Sequence, residues 1–433
     1  MVAKILEKVV AEQLEKHLEL NNLHDIYQSA YRRKHSTETA LLKVQTDILE
    51  ALDKKEHVLL LMTDLSAAFD TVDHNILINR LEYSIGLEGT VLAWFRSYLH
   101  QRKQQVQIGN AISSERTLTC GIPQGSIMGP ILYCLYTRAT GRIFDKYGLS
   151  YHSYADDSQA YTVVEAGTDW QDVSDRISNC MEELRSWMSH NKLKLNDEKF
   201  EYQLFHSRMA PIVREDFQLS IRNSTYSPSQ AVRNLGVILD ESLTMEKQIQ
   251  ATAKVCRYQL RSIGKIRRCL DTDSCRTLVN ALVTSRIDYA NSLLYGVPQT
   301  QLRKLQLVQN SAARLIMQKR PDEHITPVLY ELHWLPVSNR VRFKILVLCH
   351  KIQYGQAPDY LSVELHQQTR ELRPVTGNRL EMPVINTMRY GGRRYDYAMA
   401  KEWNQLPVQI RRETNFQSFK RQLKTFLFRE YFT

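Results

Sequence analysis

The spacing of apolar and polar positions divides the chain into a mixed front part and a helical back part. Residues 2–20 set Ile5, Leu6, Val9, Val10, Leu14 and Leu18 on one helical stripe. A polar, basic loop over 27–37 follows, and Ser36 or Thr37 is placed to cap a helix running to about Leu52. Val58 to Met62 form an unbroken apolar run closed by Thr63, Asp64 and Leu65, the pattern of a buried central strand. A turn from Phe69 enters a helix over 71–81, with Asp70 and Asp73 read as caps or surface acids. A helix over 89–99, a strand over 105–108 and a turn at Gly109-Asn110 come next. A glycine-rich stretch, 120–130, leads into an apolar helix over 131–136.

Two strand-like runs, 151–154 and 159–164, flank Asp156-Asp157 and predict a tight hairpin whose turn carries both acids. Trp170, Val173, Ile177, Met181, Leu184, Trp187 and Met188 recur at helical spacing, as core positions do. A strand over 201–205 and a hairpin joining 217–221 to 232–239 complete the mixed part. From Met245 the period is helical throughout. One helix buries Ile249, Ala253, Cys256, Leu260 and Ile263 and shows Lys254, Arg257, Arg261, Lys265, Arg267 and Arg268 on its other face. Further helices are predicted over 273–289 and 302–317, and 321–433 reads as a separate helical module with a basic end.

At 433 residues the chain can hold two or three domains, and its 43% hydrophobic and 24% charged residues are those of a globular protein. Charge changes the picture more. Residues 1–249 hold 27 Lys and Arg against 33 Asp and Glu, a net −6, whereas residues 250–433 hold 30 against 14, a net +16. A basic back half suits a polyanionic partner, with solubility alone as the plainer explanation. The seven cysteines are scattered without a Cys-x-x-Cys pair, which argues against a disulfide framework or zinc knuckle and for free, buried thiols. No apolar run reaches membrane-spanning length and the opening segment is charged throughout, so an intracellular location, nucleus or cytoplasm, is expected.

The chemistry lies with the acids. An ionised carboxylate closing a buried strand, as Asp64 does, is costly unless paired or bound to a cation. Asp156 and Asp157 repel one another as neighbours, a cost that a hard divalent ion relieves and that a solvated turn tolerates. The glycines around Gln124 permit close backbone approach to a flat or charged ligand, or merely build a loop. The basic loop before the second helix is suited to phosphate or to solvent.

In order, these stretches resemble the reverse transcriptases of non-LTR (LINE-type, jockey-like) retrotransposons. The matching residues are Gln28-Ser29-Ala30-Tyr31-Arg32, Asp64-Leu65-Ser66-Ala67-Ala68-Phe69-Asp70, Gly121-Ile122-Pro123-Gln124-Gly125-Ser126, Tyr154-Ala155-Asp156-Asp157, Leu195-Asn196-Asp197-Glu198-Lys199 and Asn234-Leu235-Gly236-Val237. Arg389-Tyr390-Gly391-Gly392-Arg393 and Trp403-Asn404-Gln405-Leu406-Pro407 are similar to stretches in the tails of these elements, so the resemblance covers nearly the whole chain.

The resemblance implies an α+β fold: a polymerase-type palm of antiparallel sheet and helices with partial fingers over 1–240, a helical thumb over 241–320, and a basic helical region over 321–433. It implies RNA-directed DNA polymerase activity with two Mg²⁺ ions, or Mn²⁺ in their place, held by Asp64, Asp156, Asp157 and the Leu65 backbone. It further implies nucleotide contacts from Arg32, Ser66, Phe69, Gln124 and Gly125, with Phe69 excluding a 2′-hydroxyl. Lys199 is implied as a general acid, beside the alternative of a plain surface lysine. Asn234, Leu235 and Gly236 would position the primer. The implied partners are an RNA template, a DNA primer and dNTPs, with no membrane.

The chain departs from the family pattern in several places. The Arg-Pro-Ile-like strand usual ahead of the basic loop is missing, and no endonuclease domain precedes it, so target nicking is expected from another chain or an absent upstream domain. Ala30, Tyr31, Ala67 and Phe200 stand where glycine, phenylalanine, lysine and threonine are usual. Shortened fingers make an impaired enzyme, or an inactive polymerase-like remnant that binds RNA or DNA, the alternative expectation.

Overall fold

The computed structural model describes residues 2–66, 69–100, 102–123, 125–165, 167–207, 217–222, 224–362, 365 and 378–432. The chain forms two compact units: residues 1–33, 59–202 and 213–228 make the first, and residues 34–58, 203–212 and 229–433 the second.

A four-stranded sheet has the spatial order Glu201–Phe205, His57–Thr63, Asp157–Val164, Ser150–Tyr154, and its residues 59–63, 150–154, 157–164 and 201–202 lie in the first unit. Val58 to Leu61 are wholly buried at the sheet's centre, as an apolar run without alternation requires. The acid-bearing hairpin pairs antiparallel, from Ser150 opposite Tyr161 to Tyr154 opposite Asp157. Asp156 therefore sits in the two-residue turn, whereas Asp157 opens the second strand; the expectation of both acids in the turn is corrected by one residue. Helix His74–Tyr83 packs against helices Gly89–Leu99 and Met128–Thr137, and helix Trp170–His190 has Ile177, Met181 and Leu184 buried as its period predicts.

Several elements differ from expectation. Residues 103–117 form two short ladders, Lys103–Gln104 with Arg116–Thr117 and Gln107–Ile108 with Ala111–Ile112, all exposed. The single hairpin expected over 217–239 is two hairpins, because Leu219–Ile221 pairs with Ser224–Tyr226 and Ala231–Asn234 with Val237–Asp240. The turn chemistry at Leu235-Gly236, both at positive φ (43° and 82°), closes the second hairpin locally. In helix Val2–Leu20, Leu14 and Leu18 are buried but Ile5, Leu6 and Val9 are exposed. Of the cysteines, Cys180, Cys256, Cys275 and Cys349 are free and buried as expected, while Cys120 and Cys269 are free and exposed.

In the second unit, helix Glu246–Ile266 packs along helix Gln299–Met317, burying the five apolar positions named above. Arg267 leaves the basic face. Its guanidinium is buried and donates to the carbonyls of Leu270, Leu315 and Ile316, satisfying orphan acceptors at a helix end. Helix Val337–Gln353 lies against Tyr395–Gln405 and Phe416–Phe432, where His350 stacks on Phe419 at 4.2 Å beside buried Trp403. Helix Thr37–Asp53 belongs to this unit: Asp53 accepts from the Asn386 and Thr387 amides, and Thr39 accepts from the Tyr360 hydroxyl.

Candidate active site

The sheet carries its acids to one end. Thr63, the last residue of the central strand, donates its hydroxyl to the Ser158 carbonyl at 3.0 Å, which ties the strand end just before Asp64 to the start of the strand that Asp157 opens. After Asp64 the chain pairs at once with a second segment: Leu65 lies opposite Leu195 and Ser66 opposite Lys194. The Asn196 amide donates to the Asp64 carbonyl at 3.0 Å. That pairing brings the 3₁₀ turn Asp197–Lys199 over the acids, and the Lys199 ammonium meets Asp64 Oδ2 at 2.8 Å.

Electrostatics show how crowded the site is. Asp157 is exposed as a residue, yet desolvation by the protein around its carboxyl lifts it above the ordinary value. The carboxylates of Asp156 and Asp64 raise it further and Lys199 opposes the rise. Lys199 is itself raised, chiefly by its hydrogen bond and charge contact with Asp64, with Asp157 and Asp156 adding to it. Asp64, Asp156, Asp157 and Lys199 thus sense one another across 135 residues of chain. Among the described residues, no group of three or more His, Cys, Asp or Glu side chains is drawn close enough to hold a metal ion.

Phe69 stacks on Tyr133 at 4.6 Å between ring centroids, and its carbonyl accepts from the Ile122 amide. Tyr133 is fully buried in helix Met128–Thr137, and its hydroxyl has no hydrogen-bond partner among the described residues. Burial, then the charges of Asp156, Cys134 and Asp64, push its ionisation upward. The glycine-rich loop is fastened to the turn after Phe69: Gly121 donates to the Val72 carbonyl, and His74 contacts the Gly121 carbonyl at 2.9 Å. Gly121 has φ +87°, and a side chain there would press on the Asp70 carbonyl at 3.1 Å. Gly125 turns at φ +79° with open space beside it, and Gln124 lies outside the described residues. Asp73 caps helix His74–Tyr83, as expected.

Other expected residues stand as follows. Arg32 donates one guanidinium nitrogen to the carbonyls of Asp25 and Gln28, at 2.6 and 3.1 Å. The backbone of Ser66 is described, but not its side chain. Asn234, Leu235 and Gly236 form the tip of a hairpin in the second unit, where the Tyr289 hydroxyl donates to the Leu235 carbonyl at 2.7 Å. Two residues of the site escaped the sequence. Tyr133 sits in an apolar helix that shows only core periodicity, and the Gln28 side chain touches the acid-bearing turn from 127 residues away.

An acid-tipped central strand, an acid-bearing hairpin and a lysine turn docked on them come together at one end of the sheet, an arrangement consistent with a polymerase-type fold. The family model "Reverse transcriptase (RNA-dependent DNA polymerase)" matches residues 1–239, and the chain belongs to that family. It is similar to the probable RNA-directed DNA polymerase from transposon X-element of Drosophila melanogaster, 28% identical over 329 residues, covering 73% of this chain and 34% of the relative. It is also similar to the RNA-directed DNA polymerase from mobile element jockey of Drosophila funebris, 25% identical over 324 residues, covering 73% and 34%. The chain thus spans about a third of the length of these curated relatives. Among solved structures it is similar to apo telomerase from Candida tropicalis, with TM-score 0.41 and 11% identity over 72% of this chain and 50% of that one. Members of the family use divalent metal ions. Among the described residues no helix is long and apolar enough to cross a membrane.

Proposed function

We propose that this chain is the RNA-directed DNA polymerase portion of a non-LTR retrotransposon, extending a primer 3′-hydroxyl with dNTPs on an RNA template. The observation that carries the reading is the meeting of Asp64, Asp156, Asp157 and Lys199 at one end of the sheet. Their donor set fits the metal: carboxylates and the Leu65 carbonyl are hard oxygen ligands suited to Mg²⁺ or Mn²⁺. Burial, then the neighbouring Asp156 and Asp64 carboxylates, raise the Asp157 carboxyl, the electrostatic setting that a divalent cation relieves. When bound, two such ions supply an activated 3′-hydroxyl and charge compensation at the leaving pyrophosphate.

The protein's own groups then have separate tasks. Lys199, kept protonated by its acidic neighbours, donates a proton toward the pyrophosphate. Phe69, backed by Tyr133, closes the space that a ribose 2′-hydroxyl would need. Arg32 and the backbone at Ser66 receive the triphosphate, Gln124 and Gly125 lie against nucleotide and template, and Asn234, Leu235 and Gly236 hold the primer end. Residues 1–240 act as fingers and palm and 241–320 as thumb, where exposed Lys254, Arg257, Arg261 and Lys265 grip duplex phosphates. The four polar groups kept together at one sheet end support this reading over an inactive remnant, and target nicking is assigned to another domain or chain.

Primer extension on an RNA template with Mg²⁺ tests the proposal. Wild-type chain is expected to extend the primer and Asp156→Ala to lose extension. Salt-sensitive RNA binding without extension in either form would establish the remnant instead.

A further inference from the structure

We infer that Gln28 is a positioning residue for Asp156, an inference that rests on the polymerase reading of the site. Gln28 lies in the loop after the first helix and is 6% exposed. Its backbone runs beside the hairpin strand: Gln28 bridges Ser153 in parallel fashion, the Ser29 amide donates to the Ser153 carbonyl, and the Ser153 amide to the Tyr27 carbonyl. Strand pairing ends there, two residues short of the turn. The side chain continues it. Gln28 Oε1 accepts from the Ala155 amide at 3.0 Å, and Nε2 donates to the Ala155 carbonyl at 3.3 Å. The primary amide thereby reads both polar groups of one residue, as a neighbouring strand would, and Oε1 also accepts from the Ala30 amide at 3.0 Å.

Ala155 needs holding. It is the first central residue of the turn and has φ +60°, a left-handed conformation that strains any residue with a Cβ. The two hydrogen bonds with Gln28 offset that strain. Rotation about the Ala155 backbone swings the next residue, Asp156, so the amide that fixes Ala155 also aims the carboxylate. Gln28 is itself anchored, since its carbonyl accepts from Arg32 and its amide donates to the Asp25 carbonyl. The fingers loop and the catalytic turn are therefore joined through one side chain.

Gln28→Met keeps the buried volume and removes both hydrogen bonds to Ala155 together with the one from the Ala30 amide, and Ala155→Gly removes the need for the first two by making positive φ unstrained. Gln28→Met is expected to lower kcat for primer extension ten- to a hundredfold, with KM for dNTP within about twofold, an effect on geometry rather than binding. Amide hydrogen exchange across 150–158, measured without metal or substrate, is expected to quicken about tenfold while the unfolding midpoint stays within error. Gln28→Met/Ala155→Gly is expected to recover most of the lost kcat relative to Ala155→Gly alone. Wild-type exchange and kcat in Gln28→Met would overturn the inference. So would equal losses in stability, kcat and KM that Ala155→Gly fails to restore, which would mark ordinary packing. If no variant extends primers, exchange alone decides the positioning role and the polymerase reading falls separately.

Discussion

Lys199 touches Asp64 and feels both hairpin acids, so replacing it changes two things. Lys199→Met removes the proposed proton donor, and kcat is expected to fall about 10²–10⁴-fold. It also removes the cation that opposes the rise at Asp157, so that carboxyl moves further upward and the acid limb of the pH–rate profile moves to higher pH. A full pH–rate profile of the variant checks both, and an unmoved limb contradicts the coupling. Phe69 makes a separate prediction. On its proposed role beside the nucleotide sugar, Phe69→Ala is expected to lower the preference for dNTP over rNTP by about 10–200-fold, measured as a kcat/KM ratio. Asp64, Asp156 and Asp157 were legible in the sequence because an acid after an apolar run and a paired acid between strands are locally unusual. Tyr133 and Gln28 were not, since their meaning comes from tertiary contact across 64 and 127 residues. Arg267 misled for the same reason: a surface-like basic period does not reveal the helix end that captures its guanidinium.

At the scale of elements, the link between helix Thr37–Asp53 and the tail is the clearest case of a contact no local pattern foretells. Asp53 is buried and accepts from the Asn386 amide, the Thr387 amide and the Thr387 hydroxyl, each at 2.7 Å. Burial alone would raise its carboxyl, but these donors together hold it below the ordinary value. A lowered folded value gives stability that is present at neutral pH and above, and is lost as pH falls through the folded value, below about 3.8. Asp53→Ala is expected to cost about 3 kcal/mol in chemical denaturation at pH 7. Its deficit against wild type should shrink on acidification below that value. Gly391→Ala should destabilise the same junction by roughly 1–3 kcal/mol, because the added Cβ would lie 2.6 Å from Asp53 Oδ2. The helix bounds themselves were readable: Ser36 caps a helix ending at Asp53, and Gly89–Leu99 stands where its period put it. The exposed ladders at 103–117 were not, for two-residue strands carry too little alternation to register.

Across the whole molecule, sequence charge separates an acidic first 249 residues from a basic remainder, and the site lies in the acidic part. That arrangement suits cations at the carboxylates and nucleic-acid backbone at the proposed thumb. Reversing Lys254, Arg257, Arg261 and Lys265 to Glu is expected to weaken RNA–DNA duplex binding for all sequences alike. The slope of log K against log salt should fall by up to about 4, one for each phosphate no longer neutralised. An unchanged slope would remove this helix from the nucleic-acid interface. The compact units, by contrast, do not follow chain order: residues 34–58 fold with 229–433, and only tertiary pairing such as Asp53 with Asn386 discloses it.

The most direct measurement of the central claim counts bound Mn²⁺ by electron paramagnetic resonance, with primer, RNA template and dNTP present. Wild-type chain should bind two ions in the site, and Asp64→Ala or Asp156→Ala should lose them. Equal Mn²⁺ binding in wild type and both variants would contradict the claim that these carboxylates hold the catalytic metal.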